Sequence, residues 1–463
     1  MNANRPSRNA VASLLLLASL IASPLLAAQE ANSSESDDEL FGDAALVTVP
    51  TETAKDIAGA GFETSKGLLF GGDLSLVQSV DLWNGNLSQA KGMRTQNLGL
   101  NFDARPSDSF RVYGRGQYTM TSAVMDGTFS IQELFADVSW NRTVNLRVGK
   151  QAANWGVGYW WSPADILSLS AIDQSDPSAR RAGPVAIKAS MPIGLNQASI
   201  YATTDATDNI DQIGLAGRFE FVLGDSEFGL GGYYRRDGEV KPRLVGTATV
   251  KFLGVNWYGE AVGSFGSEVP TVGFASGSPV VSTSDEFFFQ GAAGFTWTAT
   301  DQEKRWNIVA MGEYYFNGRG AEDAAAYADH RAQLLGLVAG GALGGSDLLG
   351  YGRHYAGLYA SAEDLWSSGL GLVAEWRSNL GEASGYGRLV AAYEPVADFR
   401  AEAGGEIHYG PDGGEYVFMN GTGEAGYAVA SLRLWTRTTI DVAYPLYGEG
   451  ARPRLTLVVS GRF

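Results

Sequence analysis

Polar and apolar residues alternate with a period of two along much of this chain. In residues 97–105 the odd positions are polar or glycine and the even positions are apolar. Residues 110–120 repeat the pattern, with Arg111 and Arg115 on one face and Phe110 and Val112 on the other. Since successive side chains of a strand point to opposite sides of a sheet, both segments are predicted to be half-buried β-strands. The same pattern recurs in residues 133–140, 213–223, 244–252, 257–265, 287–297, 306–316, 370–376 and 399–409.

The number of predicted strands is large for a single sheet. Along the chain we find about nineteen candidate strands, and the alternation is least regular in 352–366 and 385–397. Single-chain bacterial barrels have even strand numbers, so we predict about 16–18 strands. A soluble β-sandwich also shows alternation, but soluble sheets usually contain only about four to six strands.

Two further features favour a membrane barrel over a sandwich. The polar face carries charges, as in Arg218 with Glu220 and Glu375 with Arg377. The apolar face ends in aromatic residues such as Trp140. A lipid-facing band with aromatic ends around a wet, charged lumen explains both features. The predicted fold class is therefore all-β, a transmembrane antiparallel up-and-down β-barrel.

Short and long connections alternate between the predicted strands. Tight turns are predicted at 104–108, 223–226 and 253–255, and these are typical of periplasmic hairpins. The long connections are interpreted as extracellular loops or as constrictions that fold inward. They are 84–94, 153–183, 204–211, 267–285, 317–351 and 411–425.

The amino terminus has the pattern of a secretory signal peptide. Arg5 and Arg8 precede an apolar run at 10–22, and small residues at Ala27 and Ala28 follow. The alternative is a retained anchor, but a spanning helix needs about 20 apolar residues. We therefore predict a cleaved signal peptide at 1–28, an acidic leader or small periplasmic or luminal segment at 29–66, and the barrel at 67–463.

The carboxyl terminus also alternates. In residues 454–463 the odd positions are apolar or glycine, and the chain ends on Phe463. This resembles the C-terminal signature of bacterial outer-membrane barrels, and the resemblance implies recognition by the barrel-assembly machinery, with Phe463 as the assembly signal. Because a barrel has no open edge, we expect this last strand to pair with the first.

One local segment resembles porin-like outer-membrane barrels of poorly assigned substrate. Residues 147–167 contain a strand ending in Gly-Lys-Gln, then Trp-Gly, then aromatic residues and Pro-Ala-Asp. The resemblance implies a channel or transporter in the bacterial outer membrane, and it implies no particular solute.

The same segment leaves two questions open. Strict alternation sends Lys150 toward lipid, unless Gly149 forms a bulge that turns it inward or Lys150 snorkels to the interface. The residues that follow, up to 183, either fold inward and narrow the pore or form an ordinary external loop.

Charged residues on the inner face are the candidate chemistry. Opposed acidic and basic groups would set a field across the lumen and orient a polar solute. Alternatively, they pair and keep a wide lumen solvated. The candidate lumen or constriction residues are Arg111, Arg115, Glu133, Asp137, Arg147, Lys150, Asp165, Arg218, Glu220, Glu375 and Arg377.

Composition narrows the functions further. There are no cysteines, which excludes disulfides and thiol chemistry, and the net charge of −17 gives no basic field for nucleic acid. The three histidines, at 330, 354 and 408, are scattered, so we predict no catalytic, metal or cofactor site.

The sequence thus predicts an exported porin-like channel for small polar solutes, embedded in outer-membrane lipid. A surface adhesin and a transporter of lipid or hydrophobic compounds are the alternatives, and an outer-membrane hydrolase is a third. The sequence does not distinguish a monomer from a homo-oligomer.

Overall fold

The structure is a computed structural model, and it describes residues 67–444 and 456–458, apart from 84–85, 122–123, 142, 169–180, 205–209, 276, 302, 304, 322, 397–398 and 420–426. The predicted signal peptide, the acidic leader and Phe463 lie outside the described residues.

The alternating segments form β-strands. The described strands are β1 (Gly67–Trp83), β2 (Asn86–Ser107), β3 (Phe110–Thr121), β4 (Val124–Trp140), β5 (Val144–Lys150), β6 (Val185–Ile193), β7 (Asn196–Thr203), β8 (Gly214–Leu223), β9 (Ser226–Arg235), β10 (Arg243–Phe252), β11 (Val255–Phe265), β12 (Thr271–Ala275), β13 (Ser278–Ser282), β14 (Phe287–Thr300), β15 (Asn307–Asn317), β16 (His354–Leu365), β17 (Leu370–Asn379), β18 (Ser384–Val396), β19 (Phe399–Tyr409), β20 (Tyr427–Tyr444) and β21 (Thr456–Val458).

The pairings of these strands form a ring. All but β12 and β13 belong to one 19-stranded sheet, in which each strand pairs antiparallel with the next and β11 pairs with β14. β1 pairs with β2 along one edge and with β20 along the other, so the pairings return to their start. β21 pairs only with β20, which leaves eighteen described strands in the ring. The predicted antiparallel up-and-down barrel is confirmed, with a strand number inside the predicted range.

Within the described residues, which include 456–458 of the last segment, the predicted pairing of that segment with the first strand is not found. Both edges of β1 are occupied, by β2 and by β20, and the described part of the last segment, β21, pairs with β20 instead. The predicted long connection at 84–94 is wrong, because β2 begins at Asn86 and extends the hairpin with β1.

The two faces of the ring differ as the alternation predicts. Large apolar side chains of one face are exposed, for example Leu100 at 55% of its surface and Leu244 at 61%. The opposite face holds charged side chains such as Asp103, which is 1% exposed. Because the ring is closed, the buried charged face is the inner one, and the exposed apolar face is the outer one.

The connections alternate between the two ends of the ring. At one end the strands are joined by tight turns; in the turn between β10 and β11, Leu253 and Gly254 have φ of 54° and 74°. Positive φ at both central residues is typical of the type I′ turn, whose twist matches that of a hairpin. We call this the turn end. The longer connections lie at the other end.

Helices and a hairpin fill the long-connection end. The helices are α1 (Ala325–Asp329), α2 (Arg331–Ala339) and α3 (Glu415–Met419), and the hairpin is formed by β12 and β13. Tyr327 of α1 stacks on Tyr351 with ring centroids 4.1 Å apart, within an apolar cluster that includes Val272 and Leu334. No helix among the described residues is long and apolar enough to cross a membrane.

Candidate pore constriction

The connection between β5 and β6 is folded into the ring. Its described part, residues 151–168, is called the inward segment. Trp155 of this segment packs against Tyr201 of β7, with ring centroids 5.8 Å apart, and Trp161 stacks on Tyr315 of β15 at 5.9 Å. β7 and β15 are not neighbours in the sheet, so a segment that contacts inner side chains of both lies across the inner face.

Two buried glutamates of the wall hold the backbone of the inward segment. Glu260 of β11 accepts hydrogen bonds from the main-chain N–H groups of Val157 at 2.5 Å, Gly158 at 2.9 Å and Ala164 at 3.0 Å. The hydroxyl of Ser162 donates to the same carboxylate at 3.3 Å. A carboxylate that accepts several N–H bonds satisfies donors that burial would otherwise leave without partners.

Glu313 of β15 binds the part of the segment that lies between the residues bound by Glu260. Its carboxylate accepts the N–H groups of Tyr159 at 2.5 Å, Trp160 at 3.0 Å and Trp161 at 2.8 Å. The hydroxyl of Tyr258 donates to the same group at 2.7 Å. Glu260 and Glu313 are 5% and 4% exposed, so their bonds are shielded from water.

Asp165 and Arg218 tie the segment to itself and to β8. The main-chain N–H of Trp155 donates to Asp165 at 3.0 Å, and Arg181 forms an ion pair with the same carboxylate. Burial raises the pKa of the Asp165 carboxyl above its ordinary value, although Arg181 opposes this shift. Nη1 of Arg218 donates to the carbonyl of Trp155 at 2.6 Å. Both predicted residues therefore contact the inward segment or belong to it.

Aromatic residues complete the packing of the segment. Trp160 and Trp161 are 2% and 7% exposed, and they lie in a cluster with Tyr355, Tyr386 and Tyr416 of β16, β18 and α3. The predicted pair Glu375 and Arg377 of β17 borders this cluster: Nε of Arg377 lies 2.9 Å from Glu375, and Arg377 also donates to the Tyr386 hydroxyl at 2.6 Å.

A second group of predicted residues lies on the inner face of β3 to β5. Arg111 and Arg147 both approach Asp137, at 3.7 Å and 2.7 Å. Arg115 forms an ion pair with Asp73 of β1 at 2.7 Å and donates to Gln132 at 3.1 Å. The inner wall formed by β1 and by β3 to β5 thus carries paired acidic and basic side chains.

Two predicted residues, Glu133 and Glu220, occupy other positions of the inner face. Glu133 accepts the main-chain N–H of Ala152 at 3.3 Å, at the start of the inward segment. Glu220 pairs with Arg218 at 2.9 Å, and its side chain is partly exposed.

Lys150 does not join the inner charges. It is paired in register with Leu134 and Val185, which belong to the exposed apolar face, and no register shift marks a bulge in either pairing. The inward placement of Lys150 was therefore wrong. Lys150 is the last residue of β5, at the long-connection end. A long cationic side chain near the end of a membrane-spanning strand can place its charge at the polar interface.

The sequence interpretation missed the roles of Glu260 and Glu313. Both occupy polar positions in the alternating segments 257–265 and 306–316, but neither is among the candidate lumen residues. One feature of the sequence could have identified them. Neither glutamate has an arginine two positions away on its own strand, whereas Glu220 and Glu375 each do. An inner carboxylate without a local cation needs other donors, and here the main chain supplies them.

Each of the three histidine rings makes a polar contact with a nearby residue. Nδ1 of His354 lies 2.6 Å from the Tyr314 hydroxyl, and Nδ1 of His408 lies 2.9 Å from the carbonyl oxygen of Tyr416. His330 contacts the carbonyl of Ala326 at 2.9 Å.

Comparison with known proteins finds likeness among solved structures alone. No family model and no curated protein matches the chain. The chain is similar to OccAB1 of Acinetobacter baumannii, with 8% identity and a TM-score of 0.49 over 81% of this chain and 99% of that one. It is also similar to a triple mutant of the Rhodopseudomonas blastica porin, with 8% identity and a TM-score of 0.41 over 80% and 99%.

A further similar structure is a loop-deletion mutant of OmpT, an outer membrane protein of Vibrio cholerae. Its identity is 9% and its TM-score is 0.40, over 81% of this chain and 100% of that one. Because these identities and TM-scores are low, the barrel is assigned from its own strand pairings, and the likeness assigns no function.

Proposed function

We propose that this protein is an outer-membrane channel through which small polar solutes pass, and that the inward segment narrows its lumen. The observation that carries the proposal is the closed ring of eighteen described strands with charged side chains inside and apolar side chains outside. An all-round apolar exterior suits lipid, and a charged interior suits water.

The size of the ring favours a channel over a solid barrel. About eight strands make a barrel whose interior side chains fill, whereas about 16–18 strands leave an aqueous lumen unless something occupies it. The inward segment occupies part of this lumen along β7, β8, β10 and β11, and along β15 and β16. Its packing and its carboxylate bonds favour a fixed constriction over a mobile external loop.

The charged residues are proposed to orient the solute. Arg111, Arg115 and Arg147 lie on the wall of β3 to β5, which the inward segment contacts at Glu133 through the main-chain N–H of Ala152. A lumen of mixed charge favours polar cargo, since apolar molecules gain nothing from displacing water there.

The remaining sequence predictions complete this proposal. Residues 1–28 would direct export, 29–66 would lie in the periplasm or lumen, and Phe463 would serve the barrel-assembly machinery. A surface adhesin is the second candidate, supported by the helices α1 and α2 and the hairpin of β12 and β13 at the long-connection end.

Solute flux into liposomes separates these functions. Vesicles that contain the purified protein should swell in solutions of small neutral sugars and progressively less as the sugar grows. An adhesin with a sealed interior would leave swelling at the level of protein-free vesicles for every sugar, and this result would reject the channel.

A further inference from the structure

A cavity of about 440 Å³ opens on the inner wall at the turn end of the ring. Its lining includes residues of the β2–β3 turn and of β3 to β7. Four cationic side chains line it: Arg105, Arg111, Arg147 and Lys188. The cavity lies apart from the inward segment, since none of its lining residues belongs to that segment.

Two carboxylates bind three of these four cations. Asp103, whose side chain is fully buried, lies 2.9 Å from both Arg105 and Arg111. Asp137 lies 2.7 Å from Arg147 and 3.7 Å from Arg111. A third carboxylate, Asp108, lines the exposed rim in the β2–β3 turn. Each bound carboxylate is thus already shared between two guanidinium groups.

Lys188 is the fourth cation, and neither Asp103 nor Asp137 forms an ion pair with it. Within the described part of the chain, no carboxylate oxygen lies within 4.0 Å of its ammonium group, which sits 5.3 Å from the ring centre of Tyr201. An ammonium over an aromatic face gains a modest attraction, but it keeps donors available for an anion.

The register of the strands places two cations side by side. Arg111 is paired with Asp137, Asp137 with Arg147, and Arg147 with Lys188. The row therefore reads cation, anion, cation, cation across four neighbouring strands. Like charges directly opposite each other in a sheet are destabilising, and an anion bound between Arg147 and Lys188 would remove that repulsion.

Neutral donors surround the same row. Asn145, Ser190 and Gln197 line the cavity beside Arg147 and Lys188. Nη2 of Arg111 is buried and has no hydrogen-bond partner among the described residues. Guanidinium, ammonium, amide and hydroxyl donors in one concavity match the acceptor oxygens of a carboxylate or phosphate group.

We propose that this cavity binds a small oxyanion between Arg147 and Lys188, at the turn end of the lumen. The bound group is a carboxylate or a phosphate, whose oxygens would accept from both cations. The site goes beyond the proposed channel function, because a folded barrel would bind the anion whether or not solutes cross it.

Equilibrium dialysis of the detergent-solubilised protein tests the site without any need for conduction. Radiolabelled inorganic phosphate and acetate are the two probes, and they distinguish a phosphate from a carboxylate site. We expect saturable binding of at least one probe at one site per chain. Lys188→Gln should weaken it about ten-fold or more, as loss of a charge-assisted hydrogen bond implies.

The matched control is Lys241→Gln. Lys241 pairs with Asp285 at 2.7 Å at the other end of the ring, so its loss removes the same charge but should leave binding unchanged. Lys188→Arg should keep most of the affinity, which also shows that the position tolerates change. Absence of saturable binding of both probes, or equal affinities in wild type and Lys188→Gln, would overturn the proposal. Binding in a protein that passes no solute would reject only the channel.

Discussion

The main-chain nitrogen of Trp161 lies 2.8 Å from Oε1 of Glu313, a residue 152 positions further along the chain. This hydrogen bond joins a connection between two strands to the wall on another part of the ring. Glu260 makes the equivalent bonds to Val157 and Gly158. The inward segment is therefore positioned by the wall strands, and its location depends on contacts that are distant in sequence.

The end of β5 depends on a glycine. Gly149 has φ of 130°, and a Cβ there would lie 2.2 Å from the carbonyl oxygen of Leu134. Gly149→Ala should lower the free energy of unfolding by about 1–3 kcal/mol, because backbone strain and a clash with backbone arise together. Urea-induced unfolding of the protein in lipid vesicles measures the free energy of unfolding of each variant. Gly387→Ala, where no heavy atom lies within 4 Å, is the matched control and should change little.

The two faces of β3 predict opposite thiol reactivities. The chain has no cysteine, so one introduced thiol reports alone. Thr119 donates to Asn97 on the inner face, whereas Tyr118 is on the exposed apolar face. In proteoliposomes, Thr119→Cys should react with a charged, membrane-impermeant thiol reagent, and Tyr118→Cys should be protected by lipid. Equal labelling of both would contradict the assignment of the faces.

Arg115 should influence ion preference. Its guanidinium lies 2.7 Å from Asp73 inside the ring, so Arg115→Ala leaves an inner carboxylate without that cation. The ratio of cation to anion permeability should rise about two-fold or more, because lumen charges tune selectivity. Reversal potentials in a salt gradient measure this ratio. Arg305→Ala, which breaks an exposed Arg–Asp pair near a turn, should leave the ratio unchanged; an unchanged ratio for Arg115→Ala would refute the charged filter.

Glu415 in α3 predicts a pH dependence of stability. Burial raises the pKa of its carboxyl above the ordinary value of 4.5, despite hydrogen bonds from Gly350, Tyr355 and Asn379. The folded state then binds the proton more tightly than the unfolded state, so stability falls as pH rises from 4.5 through the raised value. Melting temperatures measured at a series of pH values from about 4 upward should show this fall.

Glu415→Gln is the control for that pH dependence. The amide resembles the protonated carboxyl and does not titrate, so the variant should lose part of the fall in melting temperature. If wild type and Glu415→Gln followed the same pH curve, Glu415 would not be the titrating group.

Alternation predicted the barrel well because it is a local property of each strand. It was weakest at β16 and β18, and the structure explains why. There, the inward-facing Tyr355 packs against Trp161 and Tyr386 packs against Tyr416 of α3, so aromatic side chains take inner positions that are charged in other strands. The blurred pattern reflects this aromatic packing inside the ring.

The arrangement of the constriction was less predictable, because it depends on contacts between residues that are distant in the sequence. Whether residues 151–168 fold inward depends on Glu260 and Glu313, which lie about one hundred or more positions away. No local pattern encodes that pairing. The predicted pairing of the last segment with the first strand is not found among the described residues for a similar reason, since only the pairing of β20 with β1 shows which strand occupies that edge.

Single-channel conductance in a planar bilayer tests the central claim most directly, when wild type is compared with Glu260→Ala/Glu313→Ala. The double variant removes the carboxylates that bind the N–H groups of the inward segment, and each unsatisfied buried donor costs about 1–3 kcal/mol. We predict discrete conductance steps in wild type and larger or noisier steps in the double variant, because the segment leaves its place. Equal steps in the two proteins would contradict the constriction, and the absence of steps in both would contradict a water-filled lumen.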